Sequence, residues 1–405
     1  MLTVEQATEA ILNQVQVAST SHVALQDCLQ LVLADDLTTP HDSPPFDKSM
    51  MDGFAVASSG FAKHGERELA VLETITAGTV PSKTLDANCA SQIMTGAAIP
   101  DGADCVVPIE QVTFNKSGSS VVTICSKNVL LERNVLRKGV SARTGELLMK
   151  SGTKLEPQHI AVLAEFGVAK VPVFRRPTVS VLATGDELLA IDQPLTPGRI
   201  RNSNEPMLVS QIQRAAATAV PLGVAKDNRA ELGAKIREGL TCDFLLLSGG
   251  VSAGTLDLVP SELAAAGVVQ VFHKIQMKPG KPLWFGQLTT PNHTCWVFGL
   301  PGNPVSSMIC FELFVRSALR KHAGISPAAV ECFPATLTES ITVRGDRPTY
   351  FPARLQRTAT GLNATPVPWG GSADLRSTAD ANGMCVLQPR DTTYEAGDIV
   401  DSIAW

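Results

Sequence analysis

Residues 245–257, LLLSGGVSAGTLD, constrain this chain more than any other stretch. A strand that is apolar at successive positions buries both faces, as a parallel strand inside an α/β sheet does, and such sheets bind ligands beyond the carboxyl ends of their strands. Gly249, Gly250 and Gly254 let backbone N–H groups approach a phosphate closely, and the helix that follows adds the positive end of its dipole. Asp257 sets a carboxylate at the start of that helix. Glycines after a buried strand also make plain tight turns, so the surrounding chain has to decide between the two.

The surroundings favour a sheet. Beyond a boundary at Arg175-Arg176-Pro177, expected strands over 179–184, 220–225, 244–248, 268–275 and 296–299 alternate with expected helices over about 205–217, 230–240, 261–266 and 305–323. Such alternation implies right-handed crossovers and a mostly parallel sheet covered on both faces. Earlier in the chain, Val4, Ala7, Ile11 and Val15 fall at helical spacing behind a Thr3–Gln6 capping box, which predicts a short amphipathic helix. Prolines crowd 40–45, and short β-rich runs fill about 54–144, with turn residues at 115–120. Residues 158–166 read as helix and 171–174 as strand, and after Gly324 short strands punctuated by proline and glycine return. The expected division is a helical and linker domain over 1–45 and 145–177, a β-rich domain over 46–144, an α/β domain over 178–326 and a β domain over 327–405.

A chain of 405 residues is long enough for two to four such domains. With 44% hydrophobic and 18% charged residues it has the composition of a soluble folded protein, and its apolar runs fall short of the ~18 residues of a membrane span. A formal charge of -5 leaves no basic footprint for nucleic acid, so a phosphate would be held by backbone dipoles, a few placed lysines or a metal. The nine cysteines contain no CxxC pair and the seven histidines no HExxH, against a disulfide or zinc framework. Glu5 and Glu9 stand where an export signal would be basic and then apolar, so the cytoplasm is the expected compartment.

Polar clusters at 184–187, 227–228, 248–257 and 301–304 each follow an expected strand, and parallel strands bring those ends to one rim. Asn303 suits an N-cap, Pro304 the first helical turn, and Ser306 adds a hydroxyl, so this helix start is either a second anion site or an ordinary cap. The carboxylates on the rim pose a problem for phosphate. At about 6 Å and an effective dielectric near 20, each repels a phosphate charge by about 3 kcal/mol, more than the ~0.3–1 kcal/mol that a surface helix terminus returns. A hard cation such as Mg²⁺ shared between carboxylates and ligand oxygens resolves this; otherwise Asp186, Glu187 and Asp227 cap helices or face water. In HKIQMKPGKP the Pro279-Gly280 turn can aim Lys278 and Lys281 at the same rim. In the N-terminal half, PPFDKSMMDGFAV brings Asp52 and MTGAAIPDGADCVVPIE brings Thr95, each in what could otherwise be a turn.

Seven segments, PPFDKSMMDGFA, IMTGAAIPDGADCVVPIE, LATGDEL, GRIRNSNEPML, LLLSGGVSAGTLD, KPGKPLWFG and GLPGNPVSS, occur in the order and spacing of one family. Over nearly its whole length the chain resembles the molybdopterin molybdenumtransferases, whose relatives include the C-terminal domains of gephyrin. The resemblance implies a multidomain α/β plus β fold: a central doubly wound, mostly parallel α/β domain of the molybdopterin-binding type, β-rich N-terminal domains and a C-terminal β-barrel-like domain. It implies insertion of molybdenum from molybdate into adenylylated molybdopterin with Mg²⁺, cleavage of the phosphoanhydride and release of AMP. Carried over by motif, Asp52, Thr95, Glu187, Asp227, Asp257, Lys278 and Lys281 would be catalytic, with Glu187, Asp227 and Asp257 holding the metal. Gly249, Gly250, Ser252, Gly254, Pro301, Asn303, Pro304 and Ser306 would bind substrate, and Arg347 and Ser372 would contact molybdate.

The resemblance also implies a homodimer whose cleft lies between the α/β domain of one subunit and the N-terminal domains of the other. It brings an upstream adenylyltransferase and acceptor molybdoenzymes as partners, with no nucleic acid and no membrane. The chain departs from the family at Phe54, where relatives often have tyrosine, at Gly139-Val140-Ser141, which lacks the frequent acidic pair, and at Thr349–Pro352 after Arg347-Pro348. Two alternatives remain at this level. An adenylyltransferase of the same pathway would resemble the α/β domain alone and release pyrophosphate from ATP, and a peptide-binding scaffold of the same fold would bind receptor-loop peptides.

Overall fold

The computed structural model describes residues 1–61, 65–114, 120–250, 258–390 and 392–405. They form two compact units, one of Met1–Asp35, Ser151–Ala161 and Ala169–Trp405 and the other of Asp36–Lys150 and Val162–Val168.

The larger unit is built on a six-stranded sheet: β1 (Thr178–Thr184), β2 (Thr218–Ala225), β3 (Phe244–Ser248), β4 (Val269–His273), β5 (Trp284–Thr290) and β6 (His293–Leu300). Their order across the sheet is β2-β1-β3-β6-β5-β4. The first four are mutually parallel, while β5 runs antiparallel to both β6 and β4. Strand β3 is buried along its whole length. Its side chains alternate between two cores: Phe244 and Leu246 pack with Val179, Val181 and Phe298 on one face, and Leu245 and Leu247 with Leu182, Leu232 and Val297 on the other. Each such side chain contributes about 1.5–3 kcal/mol of burial, and the two cores make the sheet doubly wound.

Helices Asn204–Arg214, Arg229–Gly239 and Val259–Ala265 cover the sheet close to the expected positions. The first ends at Arg214 rather than near 217, because Ala216 takes a left-handed backbone with φ 57°. The long helix expected from 305 runs as Pro304–Cys310, a π-helical turn over Phe311–Val315 and Arg316–His322. The N-terminal helix Val4–Gln14 has both hydrogen bonds of the Thr3–Gln6 capping box and buries Val4, Ala7 and Ile11 in the core of the α/β region. Five strands, Phe333–Leu337, Thr349–Thr358, Gly361–Pro366, Gly383–Leu387 and Ile399–Ala404, close into a barrel. Tyr350, Met384 and Ile403 of this barrel join the same core, which fixes it against the α/β region.

The smaller unit centres on another six-stranded sheet, in the order Cys105–Pro108, Gly53–Val56, Cys89–Ile93, Glu66–Ile75, Val121–Cys125, Val112–Phe114. Phe54 is fully buried there, with its ring 5.0 Å from that of Phe114. A tyrosine hydroxyl at this apolar position would need a hydrogen-bond partner, which accounts for phenylalanine. Among the described residues, no helix is long and apolar enough to cross a membrane.

Candidate active site

From β1 the chain crosses to β2 on one side and then to β3 on the other, so the order reverses between β1 and β3. In an open α/β sheet that reversal leaves a crevice at the carboxyl ends of the two strands. Here those ends are Thr184 and Ser248, followed by Gly185 and by Gly249 and Gly250. Gly249 and Gly250 adopt φ 98° and 66°. A Cβ at Gly249 would stand 2.7 Å from the Thr184 carbonyl oxygen, and one at Gly250 would stand 2.7 Å from Val259 Cγ2. Only glycine satisfies both backbone and space at these positions.

A cavity of about 730 Å³ opens at this point. Glu187, Asp227, Gly249, Gly250, Asn303 and Pro304 all line it. Of the other acidic candidate, Asp186, the carboxylate accepts a weak 3.4 Å hydrogen bond from the Asp227 N–H, and it is Asn228 that caps the following helix, accepting from the N–H groups of Ala230 and Glu231. Ser252, Gly254 and Asp257, and the turn expected at 115–120 for residues 115–119, lie outside the described residues.

Further lining comes from residues that the sequence did not single out as site residues. Asn204, buried in the first turn of its helix, donates from Nδ2 to Ser248 Oγ at 2.7 Å and to the Gly302 carbonyl at 2.8 Å. It therefore ties the end of β3 to the Pro301–Pro304 loop. Asn202 and Glu205 bond reciprocally, Asn202 Nδ2 to Glu205 Oε2 at 2.9 Å and Glu205 N–H to Asn202 Oδ1 at 3.2 Å, and hold the start of that helix. Among the described residues the buried Asn204 Oδ1 and Thr184 Oγ1 have no partner, and both residues line the cavity. The signal available in the sequence was RNSNEP, an asparagine-rich helix start directly before an amphipathic run.

A second cavity of about 680 Å³ adjoins the first and shares Pro282, Pro301 and Asn303 with it. Lys278, Lys281, Ser306, Arg347 and Ser372 line it together with Arg344, and among the described residues no carboxylate does. The barrel shapes this basic pocket. Lys278 N–H donates to the Pro348 carbonyl at 2.9 Å and Tyr350 N–H to the Lys278 carbonyl at 2.7 Å, so the lysine turn is laced to the barrel strand. Arg347 Nη1 donates to the Met277 carbonyl at 3.1 Å. Asn303 occupies the N-cap position but makes no side-chain cap bond; its Nδ2 donates instead to Ser372 Oγ at 2.9 Å, across the junction of the two cavities.

In the smaller unit, Asp52 Oδ1 accepts from both the N–H and the hydroxyl of Thr95, each at 2.7 Å. The Thr95 hydroxyl, then its N–H, hold the Asp52 carboxyl below its usual range despite a small opposing effect of burial. Gly53 then enters a strand rather than a turn, packed so close to Val107 and Pro108 that a side chain would collide with backbone.

Among the described residues no three of His, Cys, Asp and Glu cluster as a metal site. Glu187 and Asp227 nevertheless offer two hard oxygen donors in one cavity, which fits Mg²⁺, an ion that takes one or two carboxylates and completes its shell with water and phosphate oxygens.

A doubly wound sheet with a glycine-lined switch-point crevice, joined to a basic pocket under a small barrel, defines an enzyme class that handles an anionic small ligand. Comparison with known proteins specifies the class. Residues 2–167 match the MoeA N-terminal region (domain I and II), 180–321 the "Probable molybdopterin binding domain", and 334–405 the MoeA C-terminal region (domain IV). The chain is 36% identical over 404 residues to the molybdopterin molybdenumtransferase of Bacillus subtilis (strain 168), covering 98% of this chain and 92% of that protein. It is 34% identical over 413 residues to that of Staphylococcus aureus (strain Mu50), covering 99% and 94%. Its structure is similar to that of the molybdopterin biosynthesis moeA protein from Pyrococcus horikoshii, with a TM-score of 0.83 at 29% identity and coverage of 100% and 99%. The chain belongs to the molybdopterin molybdenumtransferase family.

Proposed function

We propose that this protein inserts molybdenum into adenylylated molybdopterin, using molybdate and Mg²⁺, and releases AMP as the phosphoanhydride is cleaved. The observation that carries this reading is the junction of two unlike cavities at Asn303: a glycine-lined, carboxylate-bearing crevice beside a basic pocket with no carboxylate among its described lining residues. The first suits a pyrophosphate linkage, and the second a tetrahedral oxyanion. At about 4 Å and an effective dielectric near 20, Lys278 or Lys281 attracts each unit of oxyanion charge by about 4 kcal/mol.

In this reading Gly249 and Gly250 present backbone to the anhydride, and Asn204 and Asn303 hold the loops that position it. Glu187 and Asp227 would hold Mg²⁺, which supplies neutralisation of the anhydride charge when bound. Lys278, Lys281, Arg347 and Ser372 orient molybdate, with Pro304 and Ser306 shaping the helix start. An oxygen nucleophile attacks phosphorus, the P–O anhydride bond breaks and AMP leaves carrying that bridging oxygen, a step that requires positioning and charge stabilisation more than covalent participation by the protein. We assign Asp52 and Thr95, with Asp257, Ser252 and Gly254, to the same reaction by their place in the family motifs. The working form is a cytoplasmic homodimer that receives its substrate from an adenylyltransferase and passes cofactor to acceptor molybdoenzymes. Incubation with adenylyl-molybdopterin, molybdate and Mg²⁺ tests the reading: AMP is the expected product, whereas pyrophosphate formation from ATP and molybdopterin would indicate the adenylyltransferase.

A further inference from the structure

A third cavity, of about 130 Å³, lies at the other end of the sheet. Pro177, one residue before β1, lines it, whereas the active-site crevice begins at Thr184, the last residue of that strand. At the rise of a β-strand the two are about 20 Å apart. Lys154, Arg175, Arg176, Arg214, Arg316 and Arg320 line this cavity, and among the described residues no carboxylate does.

These six cations are only partly compensated from behind. Arg175 is paired with the buried Asp243, Nη2 to Oδ1 at 2.6 Å and Nη1 to Oδ2 at 2.8 Å. Arg214 and Arg316 share one carboxylate, Glu312, fully buried in the π-helical turn, and Lys154 stands 3.7 Å from Glu156. Arg176 and Arg320 have no carboxylate partner among the described residues. Arg176 Nη1 donates to the Ala216 carbonyl at 3.3 Å, and Arg320 donates to the carbonyls of Ala328 and Pro327 at 3.1 and 2.9 Å. The cavity wall therefore carries a surplus of positive charge. Among the described residues, Arg316 also keeps a buried Nε donor without a partner. Burial first, and then repulsion from Arg214 and Arg320, depress the Arg316 guanidinium below its ordinary pKa in spite of Glu312.

Surplus guanidinium donors around a small cavity are the usual means of holding a tetrahedral oxyanion, because their planar forks pair two oxygens at a time. We propose that this cavity is a second anion site, remote from the reaction, that takes a tetrahedral dianion of the phosphate class. Its volume admits the oxyanion and excludes a nucleotide.

Inorganic phosphate titrated by calorimetry into the full-length protein carrying Lys278→Ala and Lys281→Ala separates this site from the basic pocket of the active site. One phosphate per chain is expected to bind in that background, and adding Arg176→Ala is expected to weaken it roughly tenfold or more, the loss of one charge-assisted partner. Arg176→Ala removes only one long carbonyl bond, and Arg320→Lys, which keeps the charge but not the fork, serves as a second variant; circular dichroism checks that each is folded. A parallel titration with AMP is expected to show no binding that depends on Arg176 or Arg320, and AMP held through these arginines would overturn a site of this size. In the otherwise unmodified chain, Arg176→Ala is expected to leave AMP release unchanged. Absence of phosphate binding in the folded Lys278→Ala, Lys281→Ala background, or binding unaffected by Arg176→Ala and Arg320→Lys, overturns the proposal.

Discussion

Thr95 grips Asp52 twice, its N–H and hydroxyl both donating to the same carboxylate oxygen at 2.7 Å. The pair joins a loop after strand Cys89–Ile93 to the residue before strand Gly53–Val56, so two segments distant in sequence present one oriented carboxylate. Both bonds favour the ionised form, and the Asp52 carboxyl accordingly titrates below its ordinary 3.8. Thr95→Val removes the hydroxyl bond. The expected result is an upward move of the Asp52 titration in a carboxyl-resolved NMR experiment, with the acid limb of the activity profile moving up beside it. An Asp52 titration unchanged by Thr95→Val would contradict the assignment.

Asp243 makes the fold sensitive to acid. Burial opposes its ionisation, but Arg175 and the N–H and hydroxyl of Thr178 outweigh burial and carry the carboxyl down to about 2. With a folded value below the unfolded 3.8, this group contributes stability that is complete above the unfolded value and is lost as pH falls from there through about 2, an effect of about 2 kcal/mol. Arg175→Ala should cost about 2 kcal/mol at neutral pH, less than the loss of a fully buried partner because the Arg175 side chain is 42% exposed and Thr178 still donates. Urea unfolding between pH 2 and 7 measures both quantities.

Asn204 links β3 to the loop before the long helix, and its replacement should damage the rim more than the remaining fold. Asn204→Leu leaves Ser248 Oγ and the Gly302 carbonyl without their donor, at about 2 kcal/mol. Lower thermal stability together with a raised KM for the pterin substrate is expected. Unchanged KM in a folded variant would remove Asn204 from the architecture of the site.

The α/β region was legible because parallel strands buried on both faces leave uninterrupted apolar runs, as Phe244 to Leu247 do. Strand β5 was not. Its Trp284 and Phe285 are buried, but Gln287, Thr289 and Thr290 run outward to an exposed end, and β6 begins with the equally polar His293 and Thr294, so this antiparallel hairpin reads as loop at one end. At the candidate site, Gly249, Gly250, Lys278 and Lys281 were legible through turn chemistry. The partners that decide geometry were not: Asn303 resembles a helix cap in sequence, yet spends its donor on Ser372, 69 residues away. Long-range bonds of this kind leave no local pattern.

The homodimer is tested by mass alone. Light scattering at micromolar concentration should give about twice the 42.9 kDa of one chain, and a single-chain mass would contradict the proposed working form.

In the proposed reaction, molybdate in the basic pocket drives cleavage of the adenylylated pterin in the adjoining crevice. Single-turnover release of AMP from adenylyl-molybdopterin, followed against molybdate concentration in the wild type and in Lys281→Ala, tests it most directly. AMP release that depends on molybdate is expected, with about tenfold or more molybdate needed for half-maximal release in Lys281→Ala. AMP that never appears, or that appears at one rate with and without molybdate in both proteins, would contradict it.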